Sequence, residues 1–227
     1  MKDFLSNVTI KVNEHTYIKD PESSELGKKI VSGAILMLDE LGFDQFTFKK
    51  LGTMIGSSEA SIYRYFENKH KLLLYLNDWY YKWLESRVLF AIMNISNSLE
   101  KLNRTINVLT ETIERDGTFE HIDEVKLQKV IYTESSKAYS TKEVDEENKL
   151  GLFSSYKSLV KRIGDIMLEV NPTFKYPHML ITTVIEGVHH QRFFAEHLPR
   201  LTDVHHNEDA ISVFYKELVL QTIQPMQ

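Results

Sequence analysis

Apolar side chains recur at helical spacing along most of the chain, so the pattern predicts a largely helical protein. One apolar stripe runs from Ile30 to Leu41, in a helix that begins near Asp20 and ends at Gly42. Two short helices follow, one capped by Thr47 and one over residues 58–66. Further helices are predicted over residues 69–95, 97–115, 120–138, 145–170, 177–197 and 207–223. The helix over residues 69–95 is apolar and aromatic nearly all round, which is typical of a rod connecting two packed units.

The first twenty residues have a different pattern. Apolar and polar residues alternate from Val8 to Val12, and Asn13 begins a plausible turn, so a short β-hairpin returning to Lys19 is predicted. We expect this arm to pack against the body of the protein, because an isolated hairpin is marginal in water. Residues 135–147 are polar and charged and are predicted to form a disordered loop. The predicted fold class is therefore all-α, with about nine helices and a possible short amino-terminal β-hairpin.

Composition narrows the class of protein. The chain has 227 residues, 42% of them hydrophobic, which is enough for a sizeable core, and its lack of cysteine excludes disulfide scaffolds and thiolate metal sites. The longest apolar run, Val88 to Met93, is too short to cross a membrane, and the amino terminus does not resemble a secretion signal. A cytoplasmic location is therefore expected.

The distribution of charge is more informative than the net charge of -5. Residues 1–72 contain ten basic and ten acidic side chains, so the rest of the chain carries the whole excess of negative charge. Within this neutral part, residues 47–71 contain five basic side chains and two acidic ones. A short basic surface on an acidic protein is compatible with binding to a polyanion.

Two short helices joined by a tight glycine turn, after a longer supporting helix, are typical of a helix-turn-helix DNA-binding unit. If Ile62 and Phe66 of the second short helix face the core, Arg64 points outward together with the small side chains before it, and tyrosines occupy the two shoulders. Small groups and an arginine suit base edges, and hydroxyl groups suit phosphates. The predicted DNA-binding residues are Thr47, Lys49, Ser58, Glu59, Ala60, Ser61, Tyr63, Arg64, Tyr65 and Lys69.

Two of these residues have particular expected roles. Lys69 lies in the first turn of the next helix, where it would add a cation to the free N–H groups and form a phosphate clamp. Glu59 lies at the amino end of the recognition helix and could accept a hydrogen bond from a cytosine amino group or repel incorrect sites.

Residues 43–73 resemble the DNA-binding domain of TetR-family transcriptional regulators. The shared pattern is an aromatic residue after Gly42, a threonine cap at Thr47, a glycine turn at Gly56, the run SIYRYF over residues 61–66, and Lys69. The resemblance implies a one-component regulator, usually a repressor, that binds a palindromic DNA operator as a homodimer and responds to a small-molecule effector. It divides the chain into an amino-terminal arm (residues 1–19), a DNA-binding domain (20–72), and a ligand-binding and dimerisation domain (73–227).

The larger domain offers candidate effector and dimer residues. The candidate effector positions, which could equally be ordinary core, are Phe90, Met93, Tyr132, Phe153, Tyr156, Met167, Ile185 and His189. The last two helices are apolar on broad faces, so they could pack within one chain or form a four-helix dimer interface. The candidate dimer residues are Ile181, Val184, Val188, Ile211, Phe214 and Leu218.

The alternative hypothesis is a helical-bundle enzyme or metal-binding protein whose basic hairpin is incidental. Glu186 and His189 have the Glu-x-x-His spacing of bundle di-iron sites, but a second such motif occurs only at Glu67 and His70. No phosphate-binding loop or nucleophile motif is present. We therefore expect no catalytic residues, no metal, no cofactor and no membrane partner.

Overall fold

The computed structural model describes residues 10–115, 118–204 and 209–224. In these ranges the chain forms α-helices and short 3₁₀-helices, and no strand is found there. This confirms the predicted all-α fold class. The α-helices are α1 (Glu25–Gln45), α2 (Phe48–Ile55), α3 (Glu59–Tyr63), α4 (Lys69–Ile92), α5 (Ser98–Thr110), α6 (Glu124–Glu134), α7 (Ser136–Tyr139), α8 (Val144–Lys149), α9 (Ser154–Val170), α10 (Pro177–His197) and α11 (Ala210–Ile223).

The prediction of a β-hairpin is wrong for residues 10–19, which the structure describes without a strand. Val8 and Thr9, the first residues of the predicted hairpin, lie outside the described residues. A 3₁₀-helix, Glu14–Thr16, replaces the expected turn and the start of the return strand. The side chain of Asn13 caps this helix by accepting a hydrogen bond from the backbone N–H of His15 at 2.9 Å. Asparagine therefore begins a helical turn here instead of a hairpin turn.

The first long helix begins later than predicted and is interrupted where predicted. Asp20 caps a short 3₁₀-helix, Pro21–Ser23, and the hydroxyl of Ser24 then accepts from the backbone N–H of Gly27 at the start of α1. At Gly42 the backbone leaves the helical region, with φ 72° and ψ 167°. A positive φ of this kind is readily adopted by glycine, so Gly42 fixes the corner that leads into α2.

Two predicted helices are each divided in two, which gives eleven α-helices in the described residues instead of about nine. Residues 120–138 form α6 and α7, and residues 145–170 form α8 and α9, separated by Gly151 at φ 74°. The predicted loop over residues 135–147 is also wrong, because it contains α7 and most of α8. Ala138 and Glu147 are buried there, so this polar segment is anchored by a few inward side chains.

The described chain divides into two compact units. Unit 1 comprises the residues up to Tyr80 together with Ile113–Ser154, and unit 2 comprises Tyr81–Thr112 together with the residues from Ser155 onward. Helix α4 contributes residues to both units. This structural division differs from the functional boundary predicted at residue 72, which remains a prediction. None of the helices in the described ranges has the length and hydropathy of a membrane span.

Candidate nucleic-acid interface

Helix α2 begins and ends next to residue types that are typical of helix ends, a threonine and a glycine. The hydroxyl of Thr47 accepts a hydrogen bond from the backbone N–H of Lys50 at 3.2 Å, which is the predicted cap. At the other end Gly56 adopts the left-handed conformation, with φ 68° and ψ 36°. The chain then turns so tightly that a Cβ atom on Gly52 would lie 2.7 Å from the carbonyl oxygen of Ser57. This turn places α3 directly against α2.

Helix α3 is short, and its inner side chains hold it in place. The hydroxyl of Ser58 accepts a hydrogen bond from the backbone N–H of Ser61 at 3.2 Å and so caps the first turn. Ile62 is fully buried, as is Phe66 just beyond the helix. Burial of an isoleucine or phenylalanine side chain contributes about 1.5–3 kcal/mol. These two anchors therefore fix which side of a five-residue helix faces the solvent.

The opposite side of α3 is open within the protomer. Ala60 and Arg64 are exposed, Tyr63 is 47% exposed, and Glu59 and Ser61 are partly exposed. The ring of Tyr63 lies edge-on against Phe48, with the centroids 5.0 Å apart, so its orientation is restrained. Three further predicted residues, Thr47, Lys49 and Ser58, are also exposed. This side of α3 and α2 can therefore meet a ligand without rearrangement of the core, and DNA contact by these residues remains a prediction.

The predicted position of Tyr65 on an exposed shoulder of the helix is wrong. Tyr65 is 4% exposed, and its hydroxyl lies 2.7 Å from the hydroxyl of Ser24 and 3.3 Å from Nζ of Lys19. The helix ends at Tyr63, and the backbone N–H of Tyr65 donates to the carbonyl of Ile62 at 2.8 Å, three residues back. This tighter turn rotates the side chain further than 100° per residue would, so Tyr65 points inward.

Lys69 is engaged by the corner between α1 and α2. Its Nζ donates to the carbonyl oxygen of Phe43 at 2.9 Å and lies 3.4 Å from the carbonyl oxygens of Asp44 and Phe46. The same ammonium group lies 4.5 Å from the centroid of the Phe43 ring. Lys69 thus fastens the corner from which α2 begins. Its predicted contact with a phosphate remains a prediction.

Sequence reasoning missed a second residue at this corner. Oε1 of Glu134, at the end of α6, accepts a hydrogen bond from the backbone N–H of Phe43 at 3.1 Å. Lys137 pairs with Glu134 at 2.9 Å and with Asp44 at 3.0 Å. No local pattern could have indicated this contact, because the residues are far apart in the sequence. The support of α2 therefore comes partly from α6 and α7.

The candidate effector residues are divided between the two units. Tyr132 and Phe153 belong to unit 1, and the other six belong to unit 2. In unit 2, Phe90 and Met93 are 52% and 56% exposed, so neither is enclosed within the unit. Four inner positions remain in that unit, of which Tyr156 is partly exposed and three are buried: Met167, Ile185 and His189. An effector site at these positions remains a prediction.

A groove of about 560 Å³ in unit 1 is not lined by any of those eight residues. It lies between α1 and α2 and the segment before α6, and it is lined by Glu25, Lys28, Lys29, Ser32, Gly33, Leu36, Met54, Ile55, Glu120 and His121. Its wall is of mixed charge.

Most of the candidate dimer residues are inside the protomer, and this prediction is wrong for four of them. Ile181, Val184, Val188 and Ile211 are all 4% exposed or less, because α10 and α11 pack on their own unit through these side chains. Phe214 is 56% exposed and Leu218 is partly exposed, so these two remain available. Other large apolar side chains in these helices, or directly before α10, are also exposed, namely Tyr176, Met179, Phe193 and Val213.

His189 is a buried polar residue on the inner side of α10. Burial, together with the charge of His190, lowers its pKa to about 3, so its imidazole is neutral in the folded protein at neutral pH. Glu186, one turn earlier, accepts a hydrogen bond from the hydroxyl of Tyr156 at 3.3 Å. Among the residues that the structure describes, no group of three or more His, Asp or Glu side chains is placed to hold a metal ion.

Comparison with known proteins extends this picture. Residues 30–76 match the model of the family described as bacterial regulatory proteins, tetR family. No curated protein matches the chain significantly.

Solved structures resemble the chain in fold. A regulatory protein of the tetR family from Rhodococcus RHA1 is 14% identical, covers 90% of this chain and 100% of its own, and superposes with a TM-score of 0.62. AibR, solved with isovaleryl coenzyme A and operator DNA, is 14% identical, with coverage of 88% and 100% and a TM-score of 0.59. The ketosteroid transcriptional regulator KstR2 of Mycobacterium tuberculosis is 16% identical, with coverage of 97% and 100% and a TM-score of 0.56.

The capped helices, the left-handed glycine turn and the open outer side of α3 form a helix-turn-helix unit. Residues 30–76, which contain this unit, match the tetR family model, and the chain shares its fold with solved TetR-family regulators. The match of this segment favours a DNA-binding regulator over the alternative helical-bundle enzyme.

Proposed function

We propose that this protein is a dimeric, effector-responsive repressor that binds a palindromic operator through α2 and α3. The observation that carries the proposal is the open side of α3, where Ala60, Tyr63 and Arg64 are exposed over a fully buried Ile62. A guanidinium group can donate two hydrogen bonds to guanine in the major groove or neutralise a phosphate. The small side chain of Ala60 lets the helix approach the bases closely.

The proposal includes a homodimer, because one helix-turn-helix unit covers too little DNA for tight specific binding. Two units related by a two-fold axis would enter successive major grooves about 34–36 Å apart. The exposed apolar side chains of α10 and α11, with Met179 68% and Phe214 56% exposed, support these helices as the dimer surface. Apolar side chains concentrated on two neighbouring helices are typical of such an interface.

The proposed effector is a small molecule that binds within residues 73–227 and lowers the affinity for the operator. Support comes from the fold shared with AibR, whose structure contains both isovaleryl coenzyme A and operator DNA. Helix α4 runs without interruption from Lys69, beside the corner of the DNA-binding unit, to Ile92. We propose that this helix has two positions, of which one favours operator binding. An effector that binds more tightly to the protein in the other position would then lower operator affinity by the ratio of its two affinities. The proposal assigns no catalysis to the chain and places it in the cytoplasm with its DNA.

The experiment starts by selecting duplexes from a random library with the wild-type protein and measuring affinity for the selected duplex by fluorescence anisotropy. Arg64→Ala is expected to weaken binding to this duplex by about 10- to 100-fold, because a base-contacting arginine contributes about 1–3 kcal/mol. Tyr63→Ala is expected to act in the same direction. Arg200→Ala serves as the matched control, since Arg200 is an exposed arginine of unit 2.

Failure of the wild-type protein to enrich any duplex would contradict DNA recognition itself. Enrichment followed by equal affinities for wild type, Arg64→Ala and Tyr63→Ala would instead contradict the assignment of α3 as the recognition helix.

A further inference from the structure

The segment before α1 contacts the residues that directly follow the recognition helix. We define residues 10–24 as the amino-terminal strap. Ile10 and Val12 are 8% and 6% exposed, and Thr16 is fully buried, so the strap is packed on unit 1 by its own side chains. This segment lies before the residues that match the family model, which begin at residue 30.

One part of the strap holds the end of the recognition helix. The backbone N–H of Ile18 donates to the carbonyl oxygen of Tyr65 at 2.7 Å. The hydroxyl of Tyr65 lies 2.7 Å from that of Ser24, and Nζ of Lys19 lies 5.0 Å from the centroid of the Tyr65 ring. Tyr65 lies two residues beyond the end of α3, so the strap satisfies a buried backbone carbonyl group in the turn by which the chain leaves this helix.

A second part of the strap is attached to helices outside the helix-turn-helix unit. The backbone N–H of Asn13 donates to Oδ2 of Asp78 in α4 at 2.8 Å, and Asp78 is 1% exposed. The side-chain amide of Asn13 donates to the carbonyl oxygens of Gly151 at 3.0 Å and Leu150 at 3.3 Å, in the turn between α8 and α9. Between these attachments, Tyr17 lies edge-on against Tyr75 of α4, with the centroids 6.2 Å apart.

We propose that the amino-terminal strap positions the recognition helix for DNA, with Tyr65 and Asn13 as its two points of attachment. The inference rests on the proposed function and deepens it. Tyr65 is then a positioning residue and makes no contact with the operator, which explains why a tyrosine hydroxyl next to the recognition helix is turned inward. The strap joins the end of α3 to the turn at Leu150 and Gly151. Loss of the contacts at Tyr65 or at Asn13 is therefore expected to loosen α3.

The test compares variants that each lose a small polar group. Tyr65→Phe keeps the buried ring and removes the hydroxyl, and Asn13→Ala removes the amide that binds the α8–α9 turn. The matched control is Tyr80→Phe, since Tyr80 is a buried tyrosine of the same unit whose hydroxyl accepts from Gln128 of α6 at 3.5 Å. Affinity for the selected duplex, affinity for an unrelated duplex of equal length, and amide hydrogen exchange over residues 59–66 are measured for each variant.

Tyr65→Phe is expected to weaken binding to the selected duplex by about tenfold, and Asn13→Ala by about threefold to fivefold, since hydrogen bonds of this kind contribute about 0.5–1.5 kcal/mol each. Binding to the unrelated duplex should change less than twofold, and exchange over residues 59–66 should accelerate in both variants. A role in stability alone would leave the affinity of the folded protein unchanged.

The inference is overturned if Tyr65→Phe matches Tyr80→Phe in affinity and in exchange over residues 59–66. If the wild-type protein selects no duplex, the proposed function fails, and the strap inference fails with it. Faster exchange over residues 59–66 would then show only that the strap restrains α3. Unchanged affinity in Asn13→Ala with a loss in Tyr65→Phe would overturn the second attachment point.

Discussion

Helix α3 and the α10–α11 pair both have an inner and an outer side, but only in α3 does the sequence distinguish the two sides correctly. Ile62 in α3 and Phe66 just beyond it face the core, and the outer residues Ala60, Ser61 and Arg64 are small or polar. In α10 and α11, large apolar residues occur on both sides, with Ile181 fully buried and Met179 68% exposed only two positions away. A hydrophobic stripe therefore identifies the core side only where the opposite side is polar.

The same difference has a functional meaning. A helix that binds DNA keeps a polar outer side, because water covers it in the free protein and phosphates cover it in the complex. A helix that binds a second copy of the chain keeps an apolar outer side. From the sequence alone, this side cannot be distinguished from the side that packs against the core. The proposed dimer surface is therefore harder to identify from the sequence than the proposed DNA-binding surface.

The largest expected effect tests the inner side of α10. Ile181→Ala should lower the free energy of unfolding by about 2–5 kcal/mol, because Ile181 is fully buried and the substitution leaves a cavity. Urea denaturation followed by circular dichroism measures this loss at a fixed protein concentration.

The control lies on the outer side of the neighbouring helix. Phe214→Ala should change the unfolding of the isolated protomer by less than about 0.5 kcal/mol, because Phe214 is 56% exposed. It should also shift sedimentation toward the monomer at low concentration. If Phe214→Ala destabilises the protomer as much as Ile181→Ala and leaves the dimer intact, the assignment of the two sides is incorrect.

The next effect also concerns the inner side of α10. Because burial lowers the pKa of His189 to about 3, the unfolded chain takes up a proton below its ordinary pKa of about 6.5 while the folded chain does not. This group therefore destabilises the fold progressively as the pH falls below about 6.5, by about 1.4 kcal/mol per pH unit, or about 2 kcal/mol by pH 5. Urea denaturation at a series of pH values should show this slope reduced in His189→Gln. An identical slope in the variant would show that His189 takes up a proton while folded.

How far the sequence predicts the structure depends on whether a feature is local. The cap at Thr47 and the glycine turns at Gly42 and Gly56 are encoded within a few residues, and all three are present as predicted. The cap at Ser58 is equally local but was not predicted. Tyr65 was misplaced because α3 ends one residue after Ile62, a detail that depends on how the following segment packs.

Contacts between distant parts of the chain were not predictable. The hydrogen bond from Phe43 to Glu134 and those from Asn13 to Leu150 and Gly151 connect residues that no pattern brings together. These contacts supply the support of the DNA-binding unit, whereas its exposed side was predictable from spacing alone. The sequence therefore indicated what could touch DNA better than what holds those residues in place.

The smallest effect tests whether the outer side of α3 discriminates between bases. Glu59 lies in the first turn of α3 and is partly exposed, so its carboxylate can accept a hydrogen bond from cytosine and repel nearby phosphates. Glu59→Gln should therefore change total affinity for the selected duplex by less than about fivefold, because the lost contact and the relieved repulsion, each about 1 kcal/mol, oppose one another. It should alter base preference at one position of each half-site when the random-library selection is repeated with the variant. An unchanged preference would mean that Glu59 does not read the operator, and the specificity of α3 would then rest on Tyr63 and Arg64.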